Sequence, residues 1–310
     1  MKILVTGGAG FIGSSLSLRL SQQSRNEIVI IDNLATGFES YVPTSPNVVF
    51  YNGSVNDESF MHSIFLRHKF DIIFHYAALV GVQRTQNNPI DVLSDSFGFK
   101  NLFQLAALTG VNRVIYASSS EVYGEPVEIP QVEEITPLNS RLPYAVVKNL
   151  GEMFAKSYQK EYGMAYTILR FFNTYGPRQS HDFVVSRFIK AALKGAPLTI
   201  YGDGLQSRTF CYIDDNLDAT LAILKKTGPG ESQTVNIGNN VVYNICQLAE
   251  LIINITRSDS RIEFLPPLKE GDMSRREPCI NQMMTYLDRP LTSLEDGLTK
   301  MLPFYTESQP

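Results

Sequence analysis

Residues Val5–Leu16 read VTGGAGFIGSSL. Gly8, Gly10 and Gly13 fit G-x-G-x-x-G, and Gly7, Gly10 and Gly13 fit G-x-x-G-x-x-G. The glycines follow the apolar run KILVT and open a helical pattern over Phe11–Gln22. In that context they allow a tight turn and let a pyrophosphate approach backbone N–H groups at a helix N-terminus. The next apolar run, EIVIID, ends in Asp32. A carboxylate there accepts hydrogen bonds from adenosine ribose hydroxyls and repels a 2′-phosphate, which favours NAD over NADP.

Further along, VVFYNG, DIIFHYAA, RVIYASSS and AYTILRFF continue the series of short runs rich in β-branched residues. Helical patterns separate them at Glu58–His68, Ser94–Thr109 and Tyr144–Tyr162. Continuously apolar strands alternating with helices predict an α/β fold: a doubly wound parallel sheet covered on both faces. The alternation loosens after Phe172, where turn-rich stretches carry isolated strands and helices near Asn216–Lys226 and Ile245–Ile255. We therefore expect a large domain over residues 1–172, completed by part of 205–222, and a smaller irregular α/β domain over 173–310. Asp214 and Asp215 are expected to cap the helix near Asn216, and the tail TESQP to fray.

Composition excludes several classes. The 310 residues are 44% hydrophobic and 19% charged, with net charge −4 and no basic block. Nothing points to nucleic acid or an anionic membrane surface. Cys211, Cys246 and Cys279 are widely spaced and odd in number, which predicts free thiols in a reducing compartment. The N-terminal apolar run is too short for a leader or a span, so the expected location is cytoplasmic. No ligand spacing suggests a metal.

PYAVVK places Tyr144 and Lys148 four residues apart, on one face of a helix. An ammonium beside a phenol favours the phenolate, which can exchange a proton with an alcohol. SSSEVYG, Ser118–Gly124, sits at the C-terminal end of a strand, where parallel sheets keep their ligand crevices. TGGAGFIG, HYAA, SSSEVYG, YAVVK, RFFNTYGPRQ and GDGLQSRTFCYIDD occur one after another in that order. Together they resemble the extended short-chain dehydrogenase/reductase family, and within it the NAD-dependent nucleotide-sugar epimerases and dehydratases. The resemblance runs from Met1 to about Leu302.

It implies a Rossmann-type first domain, NAD as cofactor and a nucleotide-diphosphate sugar as substrate. The implied catalytic set is Ser119, Tyr144 and Lys148. Tyr144 takes the sugar 4-OH proton, Lys148 favours the phenolate and holds the nicotinamide ribose, and Ser119 hydrogen-bonds the same sugar oxygen. Oxidation at C4 leaves a 4-keto sugar. Glu121 and Ser120 then bear on the fate of that ketone. Plain 4-epimerases usually carry a small residue at the Glu121 position, whereas 4,6-dehydratases and UDP-glucuronate decarboxylases carry Glu. Arg276, in GDMSRREPCI, is similar to an arginine that works with that Glu in the decarboxylases. We expect dehydration or decarboxylation, with 4-epimerisation as the alternative. A non-catalytic NAD-binding regulator and a simple reductase are further classes.

The implied cofactor site comprises Gly7, Gly10, Phe11, Ile12, Gly13, Asp32, Asn33, Ser54, Val55, Ala77, Ala78, Ser118 and Phe171, with Tyr144 and Lys148. The implied substrate site comprises Val82, Gln83, Asn173, Val184, Phe188, Tyr201, Gln206, Arg208 and Arg276. Ser54, Asp95 and Cys279 depart from the family pattern, which often has Asp, Asn and Asp there. His75 is expected to be structural. Relatives commonly pair as homodimers through a four-helix bundle, here the Ser94–Thr109 and Tyr144–Tyr162 helices.

Overall fold

A computed structural model describes residues 1–267 and 275–306, without the side chains of Val82 and Gln83. The expected fraying of the tail falls mainly on residues 307–310, outside the described residues. Two compact units divide the chain: Met1–Val122 with Ser140–Arg170 and Leu224–Val235, and Tyr123–Asn139 with Phe171–Ile223 and Asn236–Pro310.

The first unit is built on strands β1 (Lys2–Thr6), β2 (Glu27–Asp32), β3 (Val48–Asn52), β4 (Ile72–His75), β5 (Arg113–Ser119) and β6 (Ala165–Phe171). With Gln233–Ile237 they form a seven-stranded sheet ordered Gln233–Ile237, β6, β5, β4, β1, β2, β3. Pairings β1–β2, β1–β4, β2–β3 and β4–β5 are all parallel. The order reverses at β1, so ligand crevices open at the carboxyl ends of β1 and its neighbours.

Helices α1 (Phe11–Ser21), α2 (Glu58–Arg67), α3 (Val82–Asn87), α4 (Pro89–Thr109) and α5 (Pro143–Tyr162) complete this unit. The sequence sets their starts. Asp57 caps α2 by accepting from Phe60 N at 2.9 Å. Pro89 and Pro143 open α4 and α5, where a missing N–H is no loss. α4 therefore begins earlier than the periodic pattern from Ser94 suggests. Leu4, Val29, Ile73, Phe103, Val114 and Ile168 lie in the main apolar cluster of this unit. Phe103 stacks on Phe154, which locks α4 against α5.

In the second unit the strand Ser207–Thr209 pairs antiparallel with Val242–Asn244 and parallel with Arg275–Arg276. Leu198–Tyr201 pairs parallel with Ile262–Leu265. Helices Val184–Leu193, Ile245–Thr256 and Leu294–Thr306 carry much of its apolar surface.

Three expectations change here. The segment that completes the first unit is Leu224–Val235, not part of 205–222, because the outermost strand needs residues from 233 onward. Residues 123–139 leave the first unit, since Gln131 and Glu133 bond to the 236 and 277–279 segments. The helix expected from Asn216 begins at Ile213. Asp214 and Asp215 thus sit in its first turn, where acids favour the dipole. Asp215 receives Arg289 Nη1 at 2.6 Å and Thr292 N at 2.8 Å.

Candidate active site

The glycine loop after β1 closes tightly. Gly7 adopts φ +70, and a Cβ on it would lie 2.6 Å from Ala77 N. A Cβ on Gly13 would strike the Gly7 carbonyl. Side chains at either position would fill the cradle. α1 has Gly10 as its N-cap, with no side-chain cap and no acid in its first turn, so its N–H groups suit an anion. Asp32 is buried, and its two oxygens accept from Ala9 N at 2.9 Å and Leu34 N at 2.8 Å. This carboxylate holds the loop as well as ending β2. Each oxygen keeps a lone pair for a ribose hydroxyl. The donors and the cradle fit a dinucleotide.

Around the loop, Phe11, Ile12, Ser54, Ala77 and Ala78 are partly exposed, and Asn33 is exposed. Val55 is buried in the apolar cluster, and its carbonyl accepts from Asn101. Asp95, for which the sequence offered no account, accepts from Leu79 N at 2.9 Å and so pins the turn after β4. Burial pushes its carboxyl up, with the Leu79 N–H and the Lys148 charge acting against that. His75 is fully buried, shares a 2.7 Å hydrogen bond with Thr6 Oγ1 and stacks on Tyr116. Burial, helped by the Lys148 charge, pushes it down to about 3, so it is neutral at physiological pH.

At the end of β5, Ser119 Oγ accepts from Glu121 N at 3.2 Å as the chain turns into a short 3₁₀ segment, Ser120–Tyr123. Ser120 is buried, whereas Ser119 and Glu121 are half-buried. From α5, Lys148 Nζ donates to the Ala117 carbonyl at 2.7 Å and lies 5.8 Å from the centroid of the Tyr144 ring. Lys148 thus ties α5 to the end of β5, two residues before Ser119, and stands beside the Tyr144 ring. Burial pushes Lys148 down to about 8, with Asp95 opposing. The ammonium beside the Tyr144 ring is therefore lost above that pH. We expect kcat/KM to decline as pH rises through about 8, measured across pH at fixed ionic strength. Because the unfolded chain binds this proton up to the ordinary 10.5, this group's contribution to stability rises with pH between the two values.

Two residues that sequence reasoning did not single out complete the arrangement. Glu152 accepts from Ser118 Oγ at 2.6 Å and from Arg170 Nε at 2.9 Å and Nη2 at 2.7 Å. Glu152 and Arg170 are 0% and 2% exposed. A signal existed: an arginine inside the apolar run AYTILRFF must be paired when buried. The Ser118 hydroxyl is committed to this cluster, which leaves its backbone for any cofactor contact.

The expected substrate residues of the second unit divide. Arg208 and Arg276 are both buried and are partners in one parallel ladder. Arg208 Nη1 donates to the Ser207 carbonyl at 2.8 Å. Gln206 Nε2 donates to the Tyr201 carbonyl at 3.1 Å, and Asn173, at φ +40, donates through Nδ2 to the Thr209 carbonyl at 2.9 Å. Val184 and Tyr201 are half-buried, as is Phe171. Phe188, with Val185, Ile189 and Ala192, forms the buried face of its helix. The side chains of Val82 and Gln83 lie outside the described residues.

The model of the NAD dependent epimerase/dehydratase family matches residues 3–238. The chain belongs to this family. It is an NAD-dependent enzyme that modifies nucleotide sugars. A UDP-N-acetyl-alpha-D-glucosaminuronate decarboxylase of Bacillus cytotoxicus is 34% identical over 321 residues, covering 99% of this chain and 98% of that one. A UDP-glucose 4-epimerase of Thermotoga maritima, solved with UDP-glucose, superposes with a TM-score of 0.91 at 32% identity, covering 99% of both chains. A UDP-glucuronic acid 4-epimerase of Bacillus cereus, solved with UDP-glucuronic acid and NAD, gives 0.90 at 30%, again covering 99% of both. Among the described residues no helix is long and apolar enough to cross a membrane.

Proposed function

We propose that this family member is a decarboxylase of a nucleotide-diphosphate hexuronate. The observation that carries the reading is Glu121, one turn of backbone beyond Ser119 at the end of β5. The similarity to a hexuronate decarboxylase over nearly the whole chain supports it. NAD, when bound in the glycine cradle, supplies the two-electron acceptor for C4 and returns those electrons at the end. Tyr144 takes the C4 hydroxyl proton and Ser119 hydrogen-bonds the same oxygen. With C4 a ketone, the C5–carboxylate bond breaks, CO2 leaves and the electron pair passes to the C4 oxygen. Protonated Tyr144 and Ser119 stabilise that enolate oxygen by hydrogen bonds. Glu121, having taken a proton from solvent, delivers it to C5 in place of the departed carboxylate. Arg208 and Arg276 hold the anionic groups of the substrate, with Asn173, Gln206, Val184 and Tyr201 beside it.

A second reading, plain 4-epimerisation, is favoured by the likeness to the two solved 4-epimerases. Incubation with a UDP-hexuronate separates them, because an epimerase keeps the carboxylate and a decarboxylase loses it.

The enzyme works as a homodimer through α4 and α5. Ile90, Leu93 and Phe97 on α4 are exposed, as are Val146, Leu150 and Met153 on α5. Their spacings are helical, so each set forms an apolar stripe, and a second copy covers both in a four-helix bundle. Sedimentation equilibrium should give a dimer, and Phe97→Glu with Leu150→Glu a folded monomer. A wild-type monomer would contradict this assembly.

A further inference from the structure

Glu152 and Arg170 form a buried ion pair in the first unit, and nothing in the chemistry above uses them. Stability alone does not account for them. A buried pair is desolvated at a cost that its attraction barely repays, and apolar residues of equal volume often serve stability as well. What an apolar pair lacks is direction. Here both carboxylate oxygens face a planar fork, Arg170 Nε on Oε1 and Nη2 on Oε2, so the carboxylate plane is fixed. Its Oε1 then receives the Ser118 hydroxyl at 2.6 Å.

Position gives that direction a use. Glu152 lies four residues after Lys148 and eight after Tyr144, on the same face of α5. Lys148 Nζ reaches the Ala117 carbonyl at 2.7 Å. Two successive residues of β5 are thereby tied to successive turns of one helix face, and the next residue is Ser119. Arg170 anchors the same carboxylate to β6, the neighbour of β5 in the sheet.

We propose that the Glu152–Arg170 pair positions the catalytic set: through Ser118 it fixes where the strand end carrying Ser119 stands relative to Tyr144 and Lys148. This rests on the roles proposed for those three residues in C4 oxidation. Both side chains are buried, and Glu152 reaches the strand end through the Ser118 hydroxyl, so the pair acts through Ser118.

The test replaces the pair as a unit, Glu152→Leu with Arg170→Met. It compares thermal midpoint, retained NAD, KM, kcat and first-turnover reduction of NAD with a UDP-hexuronate. The expected result is a folded protein with wild-type NAD content and KM. Its kcat and first-turnover rate should fall about tenfold or more, because a small misplacement of a reacting group is costly. Should the double variant not fold, Ser118→Ala leaves the ion pair intact. There kcat should fall about fivefold at unchanged midpoint and NAD content, and Ser118→Thr should recover part of it. Wild-type kcat in either folded variant, or a loss that simply tracks lost NAD, overturns the inference. The comparison is a ratio to wild type. Failure of the wild type itself to reduce NAD with any nucleotide sugar is instead a failure of the functional reading.

Discussion

Tyr144→Phe should lower kcat about 10³-fold while the purified protein keeps its NAD. A positioned acid or base contributes about 10² to 10⁴ in rate, and Tyr144 is assigned both duties, removing the C4 proton and then donating to the enolate oxygen. The substitution deletes one oxygen and keeps the ring that Lys148 approaches at 5.8 Å. The residue is only half-buried on α5, so the fold should survive. Thermal midpoint and NAD content check the fold, and steady-state turnover checks the chemistry. A variant with more than a tenth of wild-type kcat would remove Tyr144 from the mechanism.

Glu121→Gln should separate C4 oxidation from completion of the turnover, the protonation of C5 after CO2 has left. First-turnover reduction of NAD by a UDP-hexuronate should persist within a few-fold, since Ser119, Tyr144 and Lys148 are untouched. Steady-state CO2 release should drop about 10²-fold or more, because the amide cannot deliver to C5 the proton that replaces the carboxylate. Keto-sugar should accumulate and be trapped by borohydride reduction. The amide is nearly isosteric, and the Glu121 backbone N–H to Ser119 Oγ is retained. Unchanged CO2 release in this variant would assign Glu121 a structural part.

The features legible in the sequence are those set by neighbours in the chain. The glycine spacing required a turn, and the structure gives Gly7 a positive φ and packs Gly13 against its carbonyl. Apolar runs without alternation required a doubly covered parallel sheet, and β1, β2 and β4 pair in that way. The Tyr144–Lys148 spacing required one helix face. Features set by distant partners were not legible. Glu152 finds Arg170 only because α5 packs beside β5 and β6. Residues 123–139 come directly after β5 in sequence but pair with 277–279, a partner more than a hundred residues away. Phe188 packs on the buried face of its helix, which the sequence pattern alone did not mark. Asp95 stood out only as a departure from a pattern; its bond to Leu79 N gives it a purpose that neither residue announces.

The central claim is that C4 oxidation by bound NAD leads to loss of a carboxylate under the influence of Glu121. The most direct test is to incubate the purified enzyme with UDP-glucuronate and UDP-N-acetylglucosaminuronate and monitor the nucleotide sugar by mass spectrometry. The account predicts a product lighter by one CO2 from at least one of them, with equimolar CO2 released. A product of unchanged mass and inverted C4 configuration, with no CO2, would contradict it.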